Sequence, residues 1–466
     1  MPTFSEVRSE SEDAVSTALQ GLAAAWHAGR PKGIYSVCSA HPWVLEAAVD
    51  QALDDDTDLL IEATSNQVNH EGGYTGMQPE DFRKLVVRIA ATKGFDDARL
   101  ILGGDHLGPN PWRHLPAAEA MRRAEQMVQA YVQAGFRKVH LDASMACADE
   151  RGPLAEETIA RRAAALCSAG ERYARLDALP VYVIGTEVPT PGGATESLDH
   201  LHPTSEQAAA QTVAMHKRIF QESGLEAVWP RVIAVVVQPG VEFNHLNVVD
   251  YDPAGATHLT EFLKQERGLI YEAHSTDYQR PQAYRDLVRD GFAILKVGPA
   301  LTFAMREALE ALALIEADLV DPGKRSGLIQ VLEQAMLVDP RHWEQHYSGD
   351  EGAKRLLRRY SYSDRVRYYW TTPLVTHAVE TLMSNMKDRA IPETMLSAYL
   401  PQEYAAVRAG ELEPEAQAIV RHRIRAVLRM YSSACASRRV SEALSPQTRM
   451  TSMPAAVNAS KSSLAS

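Results

Sequence analysis

An acid and an imidazole stand side by side at Asp105 and His106, inside the stretch Arg99 to Trp112. Arg99 to Leu102 reads as a short buried strand. Gly103 and Gly104 then let the backbone turn without Cβ clashes, which places Asp105 and His106 just past the strand end. Asn110 follows between Pro109 and Pro111, which cannot continue a regular element. A loop aspartate capping the next helix beside a surface histidine is the bland reading. The polar groups elsewhere in the chain favour a site instead.

Those groups recur at the ends of short apolar runs. Ser39 and His41 follow the first run. Thr64, Ser65, Asn66, Gln67 and Asn69 follow the second, with Glu71 and a Gly-Gly-Tyr-Thr-Gly turn behind them. Asp142 and Ser144 end the fourth. Thr186 and Glu187 follow the fifth and lead through Thr-Pro-Gly-Gly-Ala-Thr to Glu196. Gln238, Glu242, Asn244 and His245 lie past the sixth. The seventh carries Glu272, His274, Ser275, Thr276 and Asp277, and the eighth carries Lys296. Asp277 and Ser39 are read first as helix caps. His70, His140, His200, His202 and His258 are read as structural. Convergence singles out His106, Glu242 and His274, with Asp142 and Glu187, as side chains pointing into one mouth. Two imidazoles and a carboxylate suit a divalent cation with an open coordination position. Without a cation, so many carboxylates in one cavity would repel and take up protons.

The elements that must position these groups repeat regularly. The runs are Gly33 to Cys38, Asp58 to Ala63, Leu100 to Leu102, Lys138 to Leu141, Pro180 to Ile184, Val232 to Val237, Leu269 to Glu272 and Phe292 to Lys296. They are mostly apolar rather than alternating, as expected for parallel strands covered on both faces. Helix-period segments separate them, for example Trp43 to Leu53, Pro79 to Lys93 and Ala117 to Gln133. Eight strand–helix alternations predict an α/β fold, a (β/α)8 TIM barrel with its site at the strand C-termini. A doubly wound sheet is the runner-up, but no GxGxxG follows the first strand. The expected organisation is an N-terminal helical segment over 1–30, the barrel over 31–320, a helical extension over 321–435 and a disordered tail over 436–466. The tail is rich in Ser, Ala, Thr and Pro.

Composition narrows the function classes. Of 466 residues, 45% are apolar and 23% charged, ordinary values for a globular protein. The net charge of −12 disfavours a nucleic-acid surface. No apolar run reaches the roughly 18 residues that span a bilayer, so no membrane partner is expected. The four cysteines have no CxxC spacing, which argues against a disulfide framework and a thiolate metal site. The acidic, polar N-terminus does not resemble a signal peptide, and a reducing cytoplasm is the expected compartment.

Several segments together carry a resemblance. They are Ser36-Val-Cys-Ser-Ala-His-Pro, Glu62-Ala-Thr-Ser-Asn-Gln-Val-Asn, Gly103-Gly-Asp-His-Leu-Gly-Pro-Asn, His140-Leu-Asp-Ala-Ser-Met, Gly185-Thr-Glu-Val-Pro-Thr-Pro-Gly-Gly, Gln238-Pro-Gly-Val-Glu-Phe and Glu272-Ala-His-Ser-Thr-Asp-Tyr. With Tyr360-Ser-Tyr-Ser-Asp-Arg-Val-Arg-Tyr-Tyr-Trp, they resemble the family of tagatose-bisphosphate aldolase accessory subunits, which also holds ketohexose-6-phosphate 4-epimerases. A more distant resemblance is to class II ketose-bisphosphate aldolases, metal-dependent (β/α)8 barrels. It implies that Asp105 is an acid/base, that His106 and His274 are metal ligands, and that Glu242 stands where those enzymes carry a third histidine. A carboxylate there makes the site harder and widens the expected divalent metal from zinc to manganese, magnesium or nickel. The aldolases' phosphate loop after the metal histidine is replaced by Ser275-Thr-Asp-Tyr.

These resemblances frame three functions. The first is a metal-dependent 4-epimerase interconverting D-tagatose 6-phosphate and D-fructose 6-phosphate by retro-aldol and re-addition. The expected acid/bases are Asp105 and then Glu196, and the expected substrate contacts are Ser65, Gln67, Asn69, Asp142, Glu187 and Lys296. Arg365 and Arg367 would hold the 6-phosphate as bidentate donors. The alternative is a non-catalytic subunit that stabilises a class II aldolase catalytic subunit. A bisphosphate aldolase in its own right is disfavoured by the lost phosphate loop. A homo-oligomer is expected in each case.

Overall fold

The protein was analysed as a computed structural model, which describes residues 18–186, 194, 198, 201–387 and 389–436. Glu187, Glu196, His200, the first 17 residues and the tail beyond residue 436 lie outside the described residues.

The eight apolar runs form eight parallel strands: β1 (Ile34–Val37), β2 (Leu59–Thr64), β3 (Leu100–Leu107), β4 (Lys138–Leu141), β5 (Val181–Gly185), β6 (Val232–Val236), β9 (Ile270–Ala273) and β10 (Phe292–Val297). They close in the order β1-β10-β9-β6-β5-β4-β3-β2. β7 (Glu242–Phe243) and β8 (Val248–Val249) form a separate antiparallel ribbon after β6. The connections follow from local chemistry. Proline at the first helical turn starts α2 (Pro42–Asp55), α3 (Pro79–Thr92), α8 (Pro281–Arg289) and α9 (Pro299–Leu319), where its missing N–H costs nothing. Side-chain oxygen or nitrogen caps others: His41 Nδ1 accepts from Trp43 at α2, and Ser205 Oγ accepts from Ala208 at α6 (Glu206–Glu222).

A helix over 18–27, α1, sits against the opposite opening of the barrel. Its Leu19, Leu22 and Ala23 share a core cluster with Leu60, Ile101, Val181 and Ile270, which stand at or near the strand starts. The N-terminal end of the barrel is thereby filled with apolar side chains, leaving its C-terminal end for polar groups. Past α9 the chain is helical, from α10 (Leu328–Val338) to α15 (Ala416–Cys435). α15 returns to the barrel and packs against α2, α8 and α9. Its Tyr431 hydroxyl lies 3.0 Å from Thr276 Oγ1, which donates to the Lys296 carbonyl. Among the described residues no helix is long and apolar enough to cross a membrane.

One boundary differs from expectation for a reason that shapes the site. β3 runs on through Leu107, so Gly103 and Gly104 are strand residues rather than a turn. Their role is close approach. A Cβ at Gly103 would lie 2.7 Å from Glu62 Cγ, and one at Gly104 would lie 2.6 Å from Leu107 Cδ1. Gly103 pairs with Glu62 on β2, so its bare backbone makes room for a buried carboxylate inside the barrel. The β3–β4 register then shifts between Gly104 and Leu107, and His106 takes φ 49°. That left-handed residue turns consecutive side chains, Asp105 and His106, toward the same end. Gly103→Ala is expected to cost about 1–3 kcal/mol by overpacking. Its urea midpoint should fall while far-ultraviolet circular dichroism stays native; an unchanged midpoint would show that Glu62 moves aside freely.

Candidate active site

Inside the barrel, charge is concentrated on alternate positions of strands that otherwise read as apolar. Glu62, Lys138 and Glu272 are fully buried, and Asp105 and Lys296 nearly so. Lys138 Nζ lies 2.6 Å from Glu62 Oε1 and 2.6 Å from Glu272 Oε2, ion pairs by distance rather than well-angled hydrogen bonds. Lys296 Nζ donates to Glu62 Oε2, lies 2.8 Å from Asp105 Oδ1 and stands 3.8 Å from Glu272 Oε1. Three carboxylates and two ammonium groups thus form one chain of contacts across β2, β3, β4, β9 and β10.

Three imidazoles sit above this network. The rings of His106, His140 and His274 have centroids 4.9 to 5.2 Å apart. Each has a carboxylate partner. His106 Nδ1 is 2.8 Å from Asp142 Oδ2, His140 Nδ1 is 3.1 Å from Asp105 Oδ1, and His274 Nε2 is 2.9 Å from Glu272 Oε1. Ser144 Oγ donates to the other Asp142 oxygen at 3.0 Å and fixes that carboxylate in turn.

The electrostatics follow from burial opposed by these partners. Burial alone would raise the Asp105 carboxyl, but His106, Lys296 and the His140 hydrogen bond hold it well below the usual carboxylate range. Glu272 is held low in the same way, against burial, by Lys138 and Lys296. Burial pushes the His274 imidazole down to about 3, so it is neutral at ordinary pH. His106 goes the other way: burial disfavours its charge, but Asp105 and the Asp142 hydrogen bond raise it. Asp105 is therefore ionised, and the neutral His274 has a lone pair to donate.

Donor atoms of Asp105, His140, Glu272 and His274, one from each, lie within 4.8 Å of one another. Three observations fit this group to a divalent cation. His140 Nε2 is buried and has no hydrogen-bond partner among the described residues. Two imidazoles and two carboxylates are a donor set that zinc, manganese or nickel accepts. The buried carboxylates Glu62, Asp105, Asp142 and Glu272 outnumber the ammonium groups of Lys138 and Lys296 by two, and raising His106 toward its charged form meets one of these charges.

The structure distributes the residues picked from sequence unevenly. Asp105, His106, His274, Lys296, Gln67 and Arg367 line one cavity at the C-terminal mouth, beside His41, Tyr74, Tyr368 and Trp370. The segment Arg355 to Trp370 therefore reaches this end of the barrel. Asp142 acts on His106 rather than facing the cavity directly. Asn69 ties its own loop, donating to the Ser65 carbonyl and accepting from Glu71 and Gly73. Ser65 is buried beneath that loop. Arg365 is buried, donates to the His342 carbonyl at 2.7 Å and hydrogen-bonds the cavity-lining Tyr368 from behind without lining the cavity itself. Arg367 packs over the Tyr368 ring, 4.6 Å from its centroid, and donates to the Tyr368 hydroxyl at 3.0 Å.

Glu242 stands apart from the four-donor group. It lies in β7, where the chain has left the sheet after a Gln238-stapled turn. Its carboxylate accepts from the Phe243 N–H at 3.0 Å and from the Ser275 side chain, and burial pushes it up to about 7. His140, read from sequence as structural, takes a place in the group instead. Glu62, Lys138 and Glu272 were also not singled out as site residues. Their signal was available: a charge at every second position of an apolar run, as in Lys138-Val-His140, marks an inward polar face.

An eight-stranded parallel barrel with a buried acid–imidazole–lysine centre at its strand C-termini defines a (β/α)8 protein built around a polar site. The chain belongs to the family described as D-tagatose-1,6-bisphosphate aldolase subunit GatZ/KbaZ-like, whose model matches residues 19–436. Among solved structures it is similar to a probable tagatose 6 phosphate kinase from Sinorhizobium meliloti 1021. That similarity is 50% in sequence identity, with a TM-score of 0.81 over 87% of this chain and all of the other. More remote are a fructose-bisphosphate aldolase from Campylobacter jejuni, 12% identical with a TM-score of 0.41 over 80% of this chain and 92% of that one. A fructuronate-tagaturonate epimerase from Cohnella laeviribosi is 11% identical with a TM-score of 0.44, over 88% and 82% of the two chains.

Proposed function

We propose that the chain serves as a subunit of a class II D-tagatose-1,6-bisphosphate aldolase, stabilising the catalytic partner. The family match over residues 19–436 carries this reading. Co-purification with the aldolase chain, and a longer half-life of aldolase activity in its presence, are the expected results. An aldolase whose activity decays equally fast without this chain counts against it.

A second reading is favoured by the intact centre, for an accessory role alone needs no ionised acid lining a cavity. On this reading the chain is a 4-epimerase acting on D-tagatose 6-phosphate and D-fructose 6-phosphate. The hydrogen on C4 is β to the C2 ketone, so enolisation cannot remove it, whereas cleavage and re-formation of C3–C4 inverts C4. A divalent cation held by Asp105, His140, Glu272 and His274, with His106 beside them, would supply Lewis acidity toward the ketose oxygens. Asp105 takes the C4 hydroxyl proton. The C3–C4 electron pair passes to an enediolate and C4 becomes an aldehyde. On this reading Arg367, which lines the cavity, keeps the phosphate of the C4–C6 fragment while its aldehyde end rotates. Re-addition on the other face returns the proton to O4.

Purified chain incubated alone with tagatose 6-phosphate and a panel of divalent cations should form fructose 6-phosphate if this second reading holds. In deuterated water the C4 hydrogen should stay on its carbon. Deuterium at C4 of the product would rule out carbon–carbon cleavage.

A further inference from the structure

The ammonium of Lys296 occupies the ground a cation would need. It lies 2.8 Å from Asp105 Oδ1 and 3.8 Å from Glu272 Oε1, on the two acidic members of the four-donor group. It also reaches Glu62, which is outside that group. Lys138 differs: it is sealed below, between Glu62 and Glu272, and touches no donor atom of Asp105 in the ion pairs of the site. Lys296 lines the cavity, whereas Lys138 does not.

We propose that Lys296 is a built-in placeholder for the divalent cation: its ammonium competes for the Asp105 and Glu272 carboxylates and retreats onto Glu62 when a cation enters. The physical basis is charge. A buried carboxylate cluster without a counter-ion is expensive, so an internal ammonium lets the barrel fold with the site vacant. The same ammonium repels an arriving divalent ion a few ångströms away. Glu62 gives it somewhere to go, because one Glu62 oxygen is held by Lys138 and the other by Lys296. The four-carbon stem permits the shift without backbone movement. Lys296 is thus a positioning residue that sets cation affinity and offsets the buried carboxylates before a cation binds.

This inference rests on the cation reading of the centre, and the test separates the two. Metal-stripped wild type, Lys296→Met, Lys296→Gln and Lys296→Arg are titrated calorimetrically with Mn²⁺ and with Co²⁺, and melted with and without each ion. The neutral variants are expected to bind about tenfold tighter or more than wild type. They should melt lower than wild type without an ion and recover with one. Lys296→Arg, which keeps the charge, should bind as weakly as wild type. Affinity in both neutral variants that is unchanged or lower than in wild type overturns the proposal, since a merely structural lysine gives that result. If Lys296→Met fails to fold, Lys296→Gln, which can still hydrogen-bond to Glu62, carries the measurement. No heat and no melting shift in any of the four proteins removes the cation reading itself.

Discussion

Asp105→Asn is expected to lower conversion of tagatose 6-phosphate by the isolated chain by about 10²–10⁴, the usual loss for a general acid/base. The amide is nearly isosteric with the carboxylate but cannot take up the C4 hydroxyl proton. Collapse of the barrel is not expected, because Lys296 keeps Glu62 as a partner and the amide oxygen introduced at position 105 can still accept from His140 Nδ1. Support of an aldolase partner should survive, since the residue is buried in this chain's own cavity. The two activities therefore report on the two readings separately. Rates within about threefold of wild type would show that Asp105 is not the base. Loss of aldolase support with native circular dichroism would tie the buried site to the accessory role after all.

Lys138→Met is expected to be the most destabilising single change in the site. It leaves Glu62 Oε1 and Glu272 Oε2 without the ammonium that both oxygens face at 2.6 Å, in full burial. Removing one partner of a buried ion pair typically costs about 3–5 kcal/mol. The urea midpoint should fall accordingly. Adding Glu62→Gln should recover part of the loss by deleting the stranded charge on that side, a coupling readable in a double-mutant cycle. A single variant within about 0.5 kcal/mol of wild type would mean that the two glutamates take up protons and tolerate neutrality instead.

Much of the barrel was legible because its signal is local. Seven of the eight runs match their strands closely at both ends, since apolar runs bounded by Gly, Pro and helix-period segments suffice to mark buried parallel strands. The third run shows where local reasoning fails. A Gly-Gly pair reads as a turn when only chain flexibility is considered. At Gly103 the glycine serves instead to admit Glu62 from the neighbouring strand. That contact joins residues 41 positions apart in sequence, and its reason lies on the partner strand.

The site divides along the same line. Sequence alone determined that polar groups crowd the C-terminal ends of the strands, and that Asp105, His106, His274, Lys296 and Arg367 belong among them. The first four follow from strand count and chain direction, because every parallel strand delivers its end to the same mouth, whereas Arg367 lies in the helical extension and its expected place rests on the Arg and aromatic content of that segment. Which side chains meet there was decided only by tertiary structure. His140 enters because β4 turns its alternate positions inward, while Glu242 leaves with a ribbon that departs from the sheet. Whether a buried acid faces an ammonium, an imidazole or open space depends on strand register and stagger around a closed barrel. Those are properties of neighbours far apart in the chain, and no window of sequence contains them.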